Sequence, residues 1–141
     1  MVAEPRVFTA ALADRTRVAD TLRSHLQSER DLAFAYLFGS FVGEPAFRDI
    51  DVGVSFIDLS PEAANLRARC LEAQLAPLLA YPLDVVVLNG RPVTFRFHVY
   101  RGQLLVVRDE RQLESELEET MRIYFDIEPR PGRATAEAFA P

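Results

Sequence analysis

The chain has 141 residues, 49% of them apolar, and its 21 acidic residues outnumber its 16 basic residues to give a net charge of −5. This length and composition predict one globular domain, and without a Lys/Arg block to follow a phosphate backbone we expect no direct nucleic-acid binding. Cys70 is the only cysteine, which excludes a disulfide framework, and no apolar run reaches membrane-spanning length. We therefore expect a cytoplasmic protein that does not contact a membrane.

The first predicted element is an amphipathic helix. Thr9 is a candidate cap, and the pattern predicts a helix that runs to about Arg30. The expected inward stripe consists of Leu12, Ala19, Leu22 and Leu26, and the expected water-facing residues are Asp14, Arg15, Arg17, Arg23 and Glu29.

The second element is a strand from Leu32 to Phe38, which is apolar along its length and therefore predicted to be buried on both faces. It ends at the turn Gly39–Ser40. The following segment, residues 41–48, contains Gly43 and Pro45 and predicts a loop or one turn of helix. The turn is thus followed closely by the next strand.

That next strand, from Asp49 to Phe56, alternates strictly between apolar residues and small or acidic residues. Because side chains two apart on a strand point the same way, Asp49 and Asp51 are expected to project together from an open face, which they share with Gly53 and Ser55. Two adjacent carboxylates repel each other, and hard oxygen ligands of this kind suit magnesium. The opposite, packed face consists of Ile50, Val52, Val54 and Phe56.

The turn and the two acids together predict a nucleotide site. Gly39 allows a close backbone approach and Ser40 adds a hydroxyl, so phosphate oxygens can lie against the turn while magnesium bridges them to the aspartates. The alternative is an ordinary Gly-Ser turn beside an exposed strand end. We favour the nucleotide and metal interpretation because both features occur in this order on neighbouring strands.

A second helix and another strand follow. Ser60 is a typical cap, and the helix is expected to fade near Pro77 with Cys70 in the core. A β-branched strand then ends at the Asn89–Gly90 turn, with Asp84 at its start. Asp84 is either a strand-end capping acid or a third carboxylate of the same site, and the latter is favoured because an acid rarely begins an apolar strand without a partner. The other inward positions of the helix are Leu66, Leu71, Leu75 and Leu78.

The last third of the chain predicts a β-hairpin and a helix. Val93 to Tyr100 alternates and is predicted to pair with 104–107, placing Arg96 and His98 on a face that is either solvated or in contact with substrate. Asp109 followed by Gln112 predicts the start of the final helix. Its expected inner residues are Leu113, Leu117, Met121 and Tyr124. Residues 129–141 are rich in Pro, Gly, Arg and Ala and predict a tail, flexible or ordered by a partner, after a domain spanning 1–128.

The sequence resembles the polymerase-beta-like nucleotidyltransferase superfamily in three places. These are Leu37–Phe38–Gly39–Ser40, Asp49–Ile50–Asp51 and the later Asp84. Segments further along narrow the resemblance, over about residues 20–128, to the minimal nucleotidyltransferase (MNT) antitoxins that accompany HEPN toxins. These segments are 85–89, Arg96 with its two phenylalanine neighbours, 108–110 and 124–126. The implied fold is α/β (α+β), a small mixed sheet flanked by helices.

The resemblance also implies roles for individual residues. Gly39 and Ser40 would hold nucleotide phosphates, Asp49 and Asp51 would bind Mg²⁺, and Asp84 would complete the acidic triad and assist the attacking hydroxyl. Family members usually have about two more residues between Gly-Ser and the first aspartate, with a serine where this chain has Arg48. The short loop either admits ATP, with Arg48 on a phosphate, or closes the pocket.

Three functions remain open at this stage. The first is a Mg²⁺-dependent antitoxin enzyme that transfers AMP from ATP to a tyrosine of a HEPN ribonuclease toxin, with which it would form a hetero-oligomer. The second is a non-catalytic antitoxin that neutralises the same partner by occlusion. The third, ranked last because the chain is short, is a nucleotidyltransferase acting on a small hydroxylated compound.

Overall fold

The computed structural model describes residues 6–127, so the predicted tail 129–141 lies outside the described residues. A four-stranded mixed sheet has the order β5-β4-β2-β6, with β2 antiparallel to both neighbours and β4 parallel to β5. Its strands are β2 (Leu32–Phe38), β4 (Ile50–Phe56), β5 (Leu83–Val87) and β6 (Gln103–Val107), and the short β1 (Phe8–Thr9) pairs separately with β3 (Ala46–Phe47). The predicted small mixed sheet flanked by helices is confirmed.

Five α-helices accompany the strands in the part of the chain that the structure describes. They are α1 (Leu12–Leu26), α2 (Ser40–Gly43), α3 (Pro61–Leu75), α4 (Val93–Tyr100) and α5 (Glu110–Ile127), and a 3₁₀ turn, Ala76–Leu78, follows α3. None of the helices within residues 6–127 is both long and apolar enough to cross a bilayer.

The sheet is covered on both faces, which corrects the prediction of one open face on β4. One apolar cluster contains Val52 and Val54 of β4 together with residues of α1 and α3. On the opposite face Gly53 lies against Val99 of α4, and Ser55 is fully buried. Only the start of β4, where Asp51 is half-buried, remains accessible on that face. The acids therefore lie at the rim of a packed sheet.

The prediction that Val93–Tyr100 forms a hairpin strand is wrong, because this segment forms α4. Its apolar residues alternate, but Phe95 and Val99 are also four apart, so a helix brings both to one side. The segment forms a helix because its apolar side is buried against β2 and β4, which α4 covers. Arg96 consequently bonds to the carbonyl of Arg91 at 2.9 Å and approaches Glu119 of α5, rather than lying on a strand face.

Several predicted core positions on the helices are exposed. Leu12 and Leu66 are 80% and 67% exposed, Leu78 is 48% exposed, and the Cys70 thiol is also on the surface. Helix α1 begins at Leu12 rather than near Thr9, and α3 packs through small side chains that bring it close to the sheet. The residues of α3 that are buried are Ala64, Ala68, Leu71 and Leu75. The predicted caps Ser60 and Asp109 are confirmed, since each accepts a backbone N–H at 3.1 Å.

Gly102 provides a stability test at the turn between α4 and β6. A Cβ at this position would overlap the carbonyl oxygen of Leu37 and lie 3.0 Å from the Cα of Phe38. We expect Gly102→Ala to lower the unfolding free energy by about 2–4 kcal/mol, because backbone atoms cannot move aside as a flexible side chain can. Chemical denaturation measures this. Gly43→Ala is the control, since its Cβ would meet nothing within 4 Å, and equal stability of the two variants would contradict the prediction.

Candidate active site

The residues predicted from the motifs meet at one rim of the sheet. Asp51 in β4 lies opposite Phe38, the last residue of β2, and also opposite Asp84 in β5. The turn at Gly39 and the starts of β4 and β5 therefore lie side by side, because β2 runs antiparallel to the other two strands. Asp49 precedes β4 by one residue and is half-buried there.

Gly39 lies directly against the carboxylate of Asp51. Its φ of 82° and ψ of −164° lie in a region that essentially only glycine adopts. A Cβ at this position would overlap Oδ2 of Asp51, so the absent side chain leaves the space that the carboxylate occupies. The glycine is thus required both for the turn and for the position of Asp51.

The electrostatics of the site concentrate on Asp51. Burial of its carboxylate, the charges of Asp49 and Asp84, and a hydrogen bond with Asp49 together raise the pKa of Asp51 to about 6. Desolvation is the largest of these causes, and both charge effects act in the same direction. Asp49 and Asp51 are therefore within hydrogen-bonding distance of each other, and Asp84 acts on Asp51 through its charge.

The donor set of this rim suits a hard divalent cation. Asp49 and Asp51 present carboxylate oxygens to each other, and a cation between them would relieve their repulsion. Among residues 6–127 no three Asp, Glu, His or Cys side chains are gathered closely enough to hold a metal ion as they stand. The charge of Asp84 acts on Asp51 over a distance longer than a coordination bond. Asp49 and Asp51 therefore fit a cation as they stand, whereas Asp84 would have to move closer to bind it.

The remaining two predicted site residues lie beside this group. Ser40 follows Gly39 as the first residue of α2 and is half-buried. Arg48 is exposed, makes no hydrogen bond or ion pair with any residue from 6 to 127, and is not among the charges that shift the pKa of Asp51. The structure brings together Gly39 and the three aspartates, whereas contact of Ser40 and Arg48 with a nucleotide stays a prediction.

The sequence model of the family described as "Polymerase beta, Nucleotidyltransferase" matches residues 20–111, which include both motifs and all three aspartates. The chain belongs to this nucleotidyltransferase family. No curated protein is significantly similar to it in sequence.

Solved structures share the fold of this nucleotidyltransferase. One is a tri-AMPylated Shewanella oneidensis HEPN toxin in complex with MNT antitoxin, with 22% identity, 89% of each chain covered and a TM-score of 0.51. A second is a toxin–antitoxin with AMP-PNP, with 23% identity, 87% of this chain and 90% of that chain covered, and a TM-score of 0.54. A third, a mutant MntA-HpeT toxin–antitoxin, has 24% identity, 86% and 89% coverage and a TM-score of 0.59.

Arg15 holds the loop between Ser40 and Asp49, a role that its place on the polar side of α1 did not reveal. Its guanidinium donates hydrogen bonds to the carbonyls of Ala10 (3.2 Å), Phe41 and Pro45 (2.8 Å). It also lies over the rings of Phe41 and Phe47, 5.2 and 5.1 Å from their centroids. The prediction that Arg15 simply faces water is wrong, because only the tertiary structure brings this loop to α1.

We expect Arg15→Met to lower both the stability of this nucleotidyltransferase and its affinity for ATP. The variant loses three hydrogen bonds, two of them to the loop, and two cation–π contacts, which together contribute about 1–3 kcal/mol to the unfolding free energy. Arg15→Lys should restore little, because an ammonium group cannot reproduce the planar fork. Denaturation and calorimetry with ATP and Mg²⁺ measure the two effects. The control is Arg17→Met, whose exposed guanidinium pairs with Asp14, and similar losses in this control would contradict the assignment.

Proposed function

We propose that this nucleotidyltransferase is an antitoxin that transfers AMP from ATP to a tyrosine hydroxyl of a HEPN ribonuclease toxin. The observation that carries the proposal is the position of Asp51, in contact with Gly39 on one side and paired with Asp84 on the other. Across the rim of the sheet, the Gly39 turn is thus followed by the pair Asp49 and Asp51 and then by Asp84. This order matches the needs of a transfer between a nucleotide and an incoming hydroxyl.

Each residue has a role in the proposed reaction. The backbone at Gly39 and the Ser40 hydroxyl bind the phosphates, and Arg48 extends from the exposed loop toward them. The acceptor oxygen forms a bond to the α-phosphorus while the bond from that phosphorus to the bridging oxygen breaks, and pyrophosphate leaves. Asp84 accepts or orients the proton of the hydroxyl. Most of the rate enhancement comes from positioning and charge neutralisation, as is usual for phosphoryl-type transfer.

Asp49 and Asp51 hold Mg²⁺ in this proposal. When bound, the ion would neutralise the developing charge on the phosphates and on the leaving group. Both carboxylates must be ionised to bind the ion, so cation binding would lower the raised pKa of Asp51.

The proposed partner is a HEPN toxin in a hetero-oligomer, since the structural neighbours include MNT antitoxins in toxin–antitoxin complexes. A cytoplasmic location forms part of the proposal, because ATP, magnesium and an RNA-cleaving toxin all occur there. The proposed domain spans residues 1–128.

Intact-protein mass spectrometry tests the transfer. Mixing the protein with its HEPN partner, ATP and Mg²⁺ should add AMP to the partner, release pyrophosphate and reduce ribonuclease activity with the same time course. Asp49→Asn and Asp84→Asn should each block the transfer, and ATP binding should survive better in the Asp84 variant, because Asp84 lies away from the Gly39 turn. An unmodified partner that is nevertheless inhibited would overturn the enzymatic proposal.

That outcome would favour the second candidate, a non-catalytic antitoxin that acts by occlusion. The observation in its support is that the three aspartates are not gathered into a metal-binding group in the described chain. Calorimetry with ATP and Mg²⁺ distinguishes the two, since a closed site gives no measurable heat.

A further inference from the structure

A groove at the edge of the sheet leads directly to Asp84. It runs along the outer side of β5, an edge strand of the sheet, and has a volume of about 390 Å³. We call this cavity the edge groove. It is lined by the backbone of 85–87 and by Pro61, Asn65, Arg69, Asp84, Asn89 and Arg91.

The order of the strands determines from which side a second substrate can enter. The Gly39 turn follows β2, Asp51 lies on β4 and Asp84 lies on β5, so the site extends across the sheet toward its β5 edge. A nucleotide bound at the turn occupies the β2 side. The attacking hydroxyl must approach opposite the leaving pyrophosphate, which leaves the β5 side and its groove for the acceptor.

The edge groove is not built to add a strand to the sheet. The N–H of Val85 donates to Oε1 of Glu72 at 2.9 Å, and the carbonyl of Val85 accepts a hydrogen bond from Arg69. The carbonyl of Val87 accepts from Nε of Arg91 at 3.3 Å. Because these outward backbone groups already have partners, a polypeptide in the groove must be recognised through its side chains.

Arg91 gives the edge groove an uncompensated positive charge. Its guanidinium lies 4.8 Å from the centroid of the Phe95 ring and forms no ion pair with any of residues 6–127, whereas Arg69 is paired with Glu72. The Nε of Arg91 donates to the carbonyl of Val87, which lies three residues along β5 from Asp84 and thus about 10 Å from it. The three aspartates at the rim repel an acidic segment, and Arg91 attracts one at the other end of the edge groove. Its charge therefore favours an acceptor with an acidic side chain about 10 Å along the groove from the reactive hydroxyl.

We propose that the edge groove binds the acceptor, a polypeptide segment whose hydroxyl reaches Asp84 at one end of the groove and whose acidic side chain pairs with Arg91 at the other. This inference rests on the proposed function, and it adds the surface and the chemistry by which the second substrate is recognised. Arg91 is a specificity-determining residue in this account and takes no part in bond making.

Charge reversal at Arg91 tests the proposal with the purified HEPN partner as acceptor. In Arg91→Glu we expect the KM for the partner to rise about tenfold or more, with kcat at saturating partner and ATP affinity retained, because the lost ion pair lies on the acceptor side. Arg91→Lys should recover most of the loss. The matched control is Arg30→Glu, an exposed arginine just before β2, which β4 separates from the edge groove, and this variant should leave the KM unchanged.

Each other outcome has a definite meaning. If the unaltered protein transfers AMP and Arg91→Glu keeps its KM for the partner, the edge groove is not the acceptor site. If ATP affinity falls instead, Arg91 belongs to the nucleotide side and the proposal is wrong. If the unaltered protein transfers no AMP, the proposed function itself fails, and the groove proposal fails with it.

Discussion

Gly39→Ala is expected to abolish ATP binding and to reduce AMP transfer by about a thousandfold or more, comparable to losing a principal group of an active site. Two costs add at this position. The backbone at φ 82° and ψ −164° is strained for any residue with a Cβ, and the methyl group would overlap Oδ2 of Asp51. Relieving the overlap displaces either the turn or the carboxylate that we propose holds the cation.

Gly43→Ala is the matched control for this variant. Gly43 lies four residues away in the same loop region, and a Cβ there would meet nothing within 4 Å. Calorimetry with ATP and Mg²⁺ and the mass-spectrometric transfer assay should therefore separate the two variants. Normal ATP binding by Gly39→Ala would remove the turn from the nucleotide site.

Asp51→Asn is expected to lose magnesium-dependent stabilisation by ATP and to reduce transfer by about a thousandfold or more, because it removes one of the two carboxylates that we propose hold the cation. A ligand that binds the folded state raises its stability by mass action, so the unaltered protein should melt at a higher temperature with ATP and Mg²⁺. The variant should show no such shift. A shift of equal size in the variant would exclude Asp51 from the cation site.

The same substitution should stabilise the ligand-free protein, with a pH dependence that follows from the raised pKa. The folded-state pKa of Asp51 is about 6, against an ordinary value of 3.8, so its favourable contribution is complete below about pH 4 and is lost as the pH rises to 6. Above pH 6 Asp51→Asn should gain about 1–2 kcal/mol, a figure reduced for solvent screening of a half-buried group. Denaturation at pH 4 and pH 7.5 measures it, and an equal gain at both values would contradict this cause.

The sequence by itself determined the elements that carry the site and their local order. The apolar strand before Gly39, the alternation that places Asp49 and Asp51 on one side, and the caps Ser60 and Asp109 are set by neighbours within a few residues. Those interactions are local, so a linear pattern contains them. Asp84 was predictable as a third acid because a charged residue at the start of an apolar strand requires a partner.

The tertiary structure alone decided the features that depend on distant contacts. The pattern of Val93–Tyr100 is compatible with a strand or a helix, and it forms α4 because the face of β4 that bears Gly53 requires a cover. Arg15 resembles its solvated neighbours until folding brings the carbonyls of Phe41 and Pro45 to it. The raised pKa of Asp51 and the edge groove beside Asp84 likewise arise from burial and from strand order, both of which are set by packing between residues far apart in the chain.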